Sequence, residues 1–324
     1  MAQAFLSPYH FPLIPGTRQV MSESGDDDSF SYAEPDDPRL KRFVIRLIER
    51  MSGQPYLKWL YDDHLANPLP GESFWDAAVR RLELKIACNE QTLAKWPKTG
   101  PLIVVSNHPF GVLDGVVICH LVTRVREDFR VLTNSVLMRA KEVREFLLPI
   151  DFTESEEAMQ TNIQSRAAAK AHLTGGGCLI VFPAGGVSTT PTPWHKRAVD
   201  AEWKTFTGRL IAQAKAPVAS VFFAGQNSRI FQIASHISVT LRLSLLFKEV
   251  HDRIGSELHI RIGEPVPFEN LPATGDRQYF MRHLREMTYR LGEGVPEPKK
   301  SRVKRPRRAP KSLRVSHRRK PAAT

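Results

Sequence analysis

The sequence has no long hydrophobic run, because no segment offers about 18 uninterrupted apolar residues. A membrane-spanning helix is therefore not expected. The first residues, MAQAFLSPYHFPLIPG, lack both the basic segment and the continuous apolar segment of a secretory signal. We expect a cytoplasmic protein whose contact with a membrane would be peripheral.

Cysteine is scarce as well. The 324 residues include three cysteines, Cys88, Cys119 and Cys178, all in apolar surroundings and without the spacing of a metal site. Such cysteines are typical of small buried side chains in a reducing compartment. The pattern Gly-x-Ser-x-Gly is also absent, which disfavours a serine hydrolase built on a nucleophile elbow.

Acidic residues are missing from the end of the chain. From Lys299 onward there are 12 Lys and Arg and no Asp or Glu, and the other 34 basic residues balance all 34 acidic ones. The net charge of +12 therefore lies in this segment, and we predict a basic disordered tail over 296–324. Such a tail is attracted to an anionic membrane surface. Nucleic acid is the less favoured partner, because the tail has no aromatic residues on which bases could stack.

Sustained periodicity is lacking over 1–37, which we predict to be a disordered N-terminal segment. Residues 38–97 are predicted to form the helical N-terminal part of the catalytic domain. Apolar residues recur at helical spacing over 40–48 with basic residues between them, which suits a helix packed on the core or one lying on a membrane. If the protein meets a membrane, this helix and the basic tail are the elements expected to do so. A further amphipathic helix is predicted over Phe74–Thr92.

What the sequence does contain is an apolar stretch interrupted by a polar turn, LIVVSNHPFGVLDG. Leu102–Val105 predicts a buried strand, the turn contains Asn107 and His108, and Asp114 precedes an apolar run over Val116–Val125 that predicts a helix. An Asp that accepts a hydrogen bond from one imidazole nitrogen leaves the other nitrogen free and more basic, ready to take a proton from a hydroxyl. The same residues are typical of a helix cap at Asp114 and a turn stabilised by Asn107.

Strands and helices alternate through the rest of the body. The predicted strands are Arg130–Thr133, Leu147–Asp151, Cys178–Phe182, Pro217–Phe223 and Glu257–Ile262. The predicted helices are Val136–Phe146, Glu154–Leu173, Glu202–Ala214, Leu241–Arg253 and Gln278–Leu291. This alternation predicts an α/β fold with a largely parallel central sheet covered by helices. Ligands of such sheets bind outside the carboxyl ends of the strands, where the turns at His108, Pro183 and Gly225 would lie.

Three segments resemble, in order and spacing, conserved blocks of the glycerolipid (lysophospholipid) acyltransferase family, which includes the 1-acylglycerol-3-phosphate acyltransferases. They are NHPFGVLDG over 107–115, FPAGG over 182–186 and APVASV over 216–221, and the likeness runs from about Lys98 to Phe268. The HPxGxxDG and FPAG forms are similar to those of a variant subgroup. The resemblance implies a glycerophosphate-acyltransferase-like core over 98–295.

The implied reaction moves a fatty acyl group from an acyl thioester, acyl-CoA or acyl-ACP, to a hydroxyl of a lyso-lipid in membrane lipid biosynthesis. The implied location is the inner face of the cytoplasmic membrane. No cofactor is implied beyond the thioester, which is a co-substrate. The competing prediction is a nonenzymatic lipid- or nucleic-acid-binding protein on a degenerate acyltransferase fold.

The resemblance also assigns roles to residues. His108 would be the general base and Asp114 its orienting partner. The turn amides at Gly185 and Gly186 would donate to the acceptor or to an oxyanion, because glycine allows close approach of the backbone. The other implied substrate-binding residues are Asn107, Gly111, Pro183, Ser188, Asn227 and Arg229.

The sequence departs from the family pattern in ways that bear on the acceptor. One more residue than usual separates His108 from Asp114, and Gly111 can absorb it. In the third block, Ala184 replaces the usual Glu, and Gly186–Val187 replace the usual Thr-Arg.

The second block departs as well, because Phe152 follows Asp151 where the family usually has an arginine. Two arginines that would hold a phosphorylated acceptor are thus missing from their expected places. The implied acceptor therefore lacks a terminal phosphate, as would a lyso-aminolipid of the ornithine-lipid type.

Overall fold

The computed structural model of this chain describes residues 53–134, 141–151, 155–273 and 275–297. The predicted N-terminal segment 1–37, the amphipathic repeat over 40–48 and residues 298–324 of the predicted tail lie outside these ranges. So does Phe152.

The described residues form a sheet of seven strands and a set of nine α-helices. The strands are β1 (Lys85–Ala87), β2 (Leu102–Ser106), β3 (Phe129–Asn134), β4 (Leu147–Ile150), β5 (Cys178–Val181), β6 (Val218–Phe223) and β7 (Glu257–Ile262). The helices are α1 (Gln54–Ala66), α2 (Phe74–Arg81), α3 (Glu90–Leu93), α4 (Val112–Thr123), α5 (Glu156–Thr174), α6 (Thr205–Ala214), α7 (Arg229–Ile237), α8 (Val239–His251) and α9 (Arg277–Arg290). Two 3₁₀ helices cover Lys141–Phe146 and Phe268–Asn270. Among these helices, none combines the length and apolar character that crossing a bilayer requires.

The strand order is β1-β7-β6-β2-β5-β3-β4. All neighbouring strands run parallel except β6 and β7, which pair antiparallel. The predicted α/β fold with a largely parallel sheet is therefore confirmed. Strand β2 lies at the centre, with Leu102 opposite Cys178 of β5 and Ile103 opposite Val218 of β6.

Strand β2 is buried on both faces, as its unbroken apolar sequence predicts. Because side chains alternate along a strand, Leu102 and Val104 join one hydrophobic core, which is shared with α2 and α4. Ile103 and Val105 join the core on the opposite face, which is shared with α5, α6 and α9. The turn that follows β2 is thus anchored by the most buried strand of the sheet.

Serine hydroxyls fix the start of several helices. Each accepts a hydrogen bond from an amide of the first helical turn, which otherwise has no partner. These serines are Ser73, Ser155, Ser228 and Ser238.

The prediction of one helix over Phe74–Thr92 is wrong. Helix α2 ends at Arg81, and Glu83 adopts a positive φ of 51° that a helix cannot continue through. The following residues, Lys85–Ala87, pair in parallel with β7, and the short helix α3 comes after them. Strand pairing with a distant segment overrides the local helical pattern.

Two other helix predictions need correction. No helix is predicted over Arg229–Ile237, where α7 lies and where the Ser228 hydroxyl caps the first turn. Of the predicted helix Val136–Phe146, the described part is the 3₁₀ helix from Lys141.

At the amino ends of the strands, one buried arginine connects three loops. The Arg126 guanidinium donates to both carboxylate oxygens of Asp128 at 2.6 and 2.7 Å. It also donates to the carbonyls of Pro97 at 3.1 Å and Gly176 at 3.0 Å. These partners precede β3, β2 and β5, so Arg126 fixes the register of the central strands from the edge opposite the functional turns.

We expect Arg126→Ala to lower the free energy of unfolding by about 2–4 kcal/mol, since it removes the four hydrogen bonds of a buried guanidinium and the packing of its side chain. Urea unfolding of the purified variant measures this. Arg124→Ala is the control, because Arg124 pairs with Glu90 on the surface and its loss should cost less than about 0.5 kcal/mol. Equal losses in the two variants would contradict the assigned role.

Candidate active site

The turn after β2 brings the predicted histidine and aspartate together. Nδ1 of His108 lies 3.0 Å from Oδ2 of Asp114. Helix α4 begins at Val112, earlier than the sequence pattern predicts, so Asp114 lies in its first turn. The five residues between the pair therefore do not prevent the contact.

Asp114 is held in place by the backbone. Its Oδ2 also accepts hydrogen bonds from the amides of Phe110 at 2.8 Å and Gly111 at 2.9 Å, and its side chain is fully buried. Burial raises the pKa of the Asp114 carboxyl, and the contact with His108 and the two amides oppose that shift. Asp114 thus caps the helix and partners His108 at the same time, so both interpretations of it hold.

Glycine is required at position 111. Gly111 has φ of 75°, which side-chain-bearing residues rarely adopt. A Cβ there would lie 3.0 Å from a methyl carbon of Leu246 and 3.1 Å from one of Val187. Gly111 therefore accommodates the additional residue of the turn. It was predicted to bind substrate, and in the structure it determines the path of the backbone.

Two contacts hold the His108 ring in place, one at Nδ1 and one on the face of the ring. The ring stacks on Phe182, with centroids 4.1 Å apart, and its side chain is 17% exposed. Nε2 makes no hydrogen bond to any residue that the structure describes. With the proton on Nδ1 facing the carboxylate, Nε2 is the nitrogen left to accept one.

The 182–188 loop runs beside His108, since the Ser188 amide donates to the His108 carbonyl at 2.9 Å. The Gly185 amide donates to the carbonyl of Phe182 at 2.9 Å and so closes the turn. A Cβ placed on Gly186 would meet no atom within 4 Å, and its amide has no partner among the described residues. Of the two predicted amide donors, Gly186 is therefore the one available to a bound group.

Pro183 and Asn107 position the backbone of the site. The Pro183 carbonyl accepts from the amide of Lys204 at 2.9 Å. The Asn107 side chain is buried and donates to the Phe223 carbonyl at 2.9 Å, while its Oδ1 accepts from the Phe223 amide at 2.8 Å. Asn107 thus ties the end of β2 to the end of β6, which agrees with its interpretation as a turn-stabilising residue.

Asp200 is a buried residue that sequence reasoning missed. Its Oδ1 accepts from the His108 amide at 3.2 Å and from the Ser188 hydroxyl at 2.5 Å, and its Oδ2 accepts from the Trp203 indole at 2.9 Å. The Ser188 hydroxyl, predicted to bind substrate, is engaged by this carboxylate. Asp200 lies in an irregular loop far from His108 in sequence, so no local pattern could indicate it.

The last two predicted residues follow β6. The exposed Arg229 guanidinium donates to the carbonyls of Pro193, at 2.7 Å, and His195. It therefore holds the 193–195 loop against the start of α7. Asn227 differs, because it is 2% exposed and neither its Nδ2 nor its Oδ1 has a hydrogen-bond partner among the residues that the structure describes. Within the described ranges, no three His, Cys, Asp or Glu side chains are placed to hold a metal ion.

Comparison with known proteins gives matches over most of the chain. A family model described as Acyltransferase matches residues 37–296. The lyso-glycine lipid O-acyltransferase of Phocaeicola vulgatus is 25% identical over 263 residues, covering 78% of this chain and 88% of the relative. The protein of the same name from Bacteroides thetaiotaomicron is 23% identical over 260 residues, covering 78% and 91%. The crystal structure of the 1-acyl-sn-glycerophosphate (LPA) acyltransferase PlsC from Thermotoga maritima overlaps at a TM-score of 0.41 and 14% identity, over 82% of this chain and 86% of that one.

We expect Asp114→Asn to lower kcat for acyl transfer by about 10²–10⁴-fold with little loss of stability. The Asn oxygen can take the place of Oδ2, so it can still accept from the two amides and face Nδ1 of His108, but it carries no charge. The imidazolium that forms when Nε2 takes a proton would then lose its stabilising negative charge, which makes His108 a weaker base. Steady-state kinetics and thermal unfolding measure the two effects.

Asp76→Asn is a matched control, because Asp76 also lies in a first helical turn and contacts a histidine, His120, at 2.6 Å. This variant should keep the wild-type kcat. A wild-type kcat in Asp114→Asn would show that the negative charge of Asp114 does not assist His108 as a base.

Proposed function

Because this chain belongs to the acyltransferase family and acts on lysolipids, we propose that it transfers a fatty acyl group from an acyl thioester to a hydroxyl of a lyso-aminolipid. The observation that supports this proposal most directly is the environment of the two ring nitrogens of His108. Its Nδ1 faces a fully buried carboxylate, and its Nε2 is left without a partner among the described residues. Membership of the family favours this enzyme over the alternative of a nonenzymatic binding protein.

The proposed reaction uses His108 as general base and then general acid. Nε2 removes the proton of the acceptor hydroxyl while that oxygen forms a bond to the thioester carbonyl carbon. The carbon–sulfur bond then breaks, and the leaving thiolate takes the proton from the imidazolium. The products are an O-acylated lipid and a free thiol, and His108 returns to its starting state.

The 182–188 loop supplies the proposed stabilisation of the developing charge. The Gly186 amide is unpartnered among the described residues, and its loop is bonded to the backbone of His108. An amide fixed in this way can donate to the oxygen of the tetrahedral intermediate without reorganising, which is where such donors are most effective.

Two observations support an aminolipid acceptor. The relatives are named for a lyso-glycine lipid. The third block has Ala184 and Val187 in place of the residues that the family uses for a phosphorylated acceptor. We propose a lyso-lipid with an amino-acid headgroup, and we leave acyl-CoA and acyl-ACP as the two donors to be compared.

The test is acyl transfer from labelled acyl-CoA and acyl-ACP to N-(3-hydroxyacyl)glycine, N-(3-hydroxyacyl)ornithine and 1-acylglycerol 3-phosphate. We expect product with the amino-acid acceptors, and we expect His108→Ala to lower kcat/KM by at least about 10³-fold. His120→Ala is the control, because His120 also contacts an aspartate and is similarly exposed. Equal rates in wild type and His108→Ala, or transfer to the phosphorylated acceptor alone, would refute the proposal.

We also propose that the enzyme works on the surface of a bilayer, at the inner face of the cytoplasmic membrane, because its acceptor is a lipid. One face of α7 exposes three isoleucines at helical spacing, Ile230, Ile233 and Ile237, which are 58%, 44% and 71% exposed. Trp194 is 87% exposed, and its loop is held against α7 by Arg229. An apolar helix face beside an exposed tryptophan is typical of an element that lies in the membrane interface.

We expect Ile233→Asp/Ile237→Asp to weaken binding to anionic liposomes by at least about tenfold, since both side chains would enter the interface. Co-sedimentation in about 0.5 M salt measures this, because that salt screens attraction through the basic tail. Ile163→Asp is the control, since Ile163 is 51% exposed on α5. Unchanged sedimentation of the double variant would exclude α7 as the membrane contact.

A further inference from the structure

A cavity of about 280 Å³ opens beside the turn that follows β6. It is lined by the turn 225–229 together with Arg253 and Glu297. None of these residues contacts the His108–Asp114 pair through an observed hydrogen bond, so the proposed chemistry leaves the cavity unexplained.

Two buried polar side chains among the lining residues have atoms without a hydrogen-bond partner in the described part of the chain. Asn227 is 2% exposed, and both of its amide atoms lack a partner. Arg253 is 3% exposed, and its Nε lacks one. Buried polar groups in native proteins are nearly always hydrogen-bonded, so such a pair lining an open cavity points to a polar ligand.

Arg253 gives the cavity its charge. Its Nη2 donates to the Gln226 carbonyl at 2.5 Å, and its guanidinium lies 3.9 Å from the centroid of the Phe110 ring. Burial lowers the pKa of Arg253, and the negative charges of Glu249 and Asp114 oppose that shift. An arginine nevertheless stays protonated in a protein. Arg253 pairs with no carboxylate among the described residues, so the cavity contains a buried cation with unused donors.

The neighbouring charges indicate the charge of the ligand. Glu249 is buried, but its carboxylate already accepts from the amide and the hydroxyl of Ser228. Arg229 lines the rim and is engaged by loop carbonyls, while Glu297 adds a negative charge. The lining residues sum to one positive charge, and the nearby Glu249 carboxylate opposes it, so they can balance at most a monoanion and not a dianionic phosphate.

The cavity follows the carboxyl end of β6, and the His108–Asp114 turn follows that of the neighbouring parallel strand β2. The Phe110 amide donates to Asp114, and the Phe110 ring carries the Arg253 guanidinium. The buried Phe110 side chain therefore connects the Arg253 side chain to the turn that contains the pair.

We propose that this cavity binds the carboxylate of the acceptor's amino-acid headgroup, with Arg253 and Asn227 as the hydrogen-bond donors. The inference rests on the proposed function and deepens it, because it names the group by which the acceptor is recognised. Planar guanidinium and amide donors match the two oxygens of a carboxylate.

The test compares N-(3-hydroxyacyl)glycine with the matching glycinamide, which has the same chain and no carboxylate. Calorimetry on the full-length protein should show that the acid binds more tightly than the amide by about 10- to 100-fold. Arg253→Gln and Asn227→Ala should remove most of that preference and raise KM for the acid more than they lower kcat. Arg253→Lys, which keeps the charge, should retain part of the preference.

Arg124→Gln is the control, because Arg124 lies on the surface and pairs with Glu90. Should Arg253→Gln unfold, the Asn227→Ala variant gives the same comparison. Equal binding of acid and amide to the wild type, or equal weakening of both by the variants, would overturn the inference even if acyl transfer is observed. Tighter binding of the acid without any acyl transfer would instead overturn the proposed function alone.

Discussion

The contact between Nδ1 of His108 and the buried carboxylate of Asp114 is the interaction on which the rest of the site depends. The carboxylate also accepts hydrogen bonds from the amides of Phe110 and Gly111. The backbone of the turn, the start of α4 and the histidine therefore all contact one side chain. Without Gly111 the turn could not take this path, because a side chain there would be strained and would press on its neighbours. The Asp114 carboxylate therefore stabilises the turn and orients the proposed general base at the same time.

Around that contact, the sheet provides rigidity. Strand β2 contributes to the hydrophobic cores on both faces, and Asn107 bonds its end to β6. Asp200 fixes the backbone of His108 together with the 182–188 loop, and Phe182 supports the imidazole ring. Asn107, Gly111 and Ser188, which were predicted to bind substrate, thus position the general base. The Gly186 amide, which has no partner among the described residues, is available to a bound lipid.

Much of the fold was predictable from sequence, because its central strands are short apolar runs bounded by turn residues. The single helix predicted over Phe74–Thr92 was wrong, since the pairing of β1 with β7 depends on residues far along the chain. The same limit applied to the site. A histidine and an aspartate within one turn could be paired by local reasoning, whereas Asp200 and Arg253 act across long sequence separations and left no local pattern.

The central claim is that Asp114 keeps the imidazole proton of His108 on Nδ1 and leaves Nε2 as the base. The most direct measurement is ¹⁵N NMR of the protein with labelled histidine, at a pH about two units above the ordinary histidine pKa. The chain has 11 histidines, so the His108 signals are assigned by their loss in His108→Ala. We predict a protonated Nδ1 and an unprotonated Nε2 in the wild-type enzyme. A proton on Nε2 would contradict it.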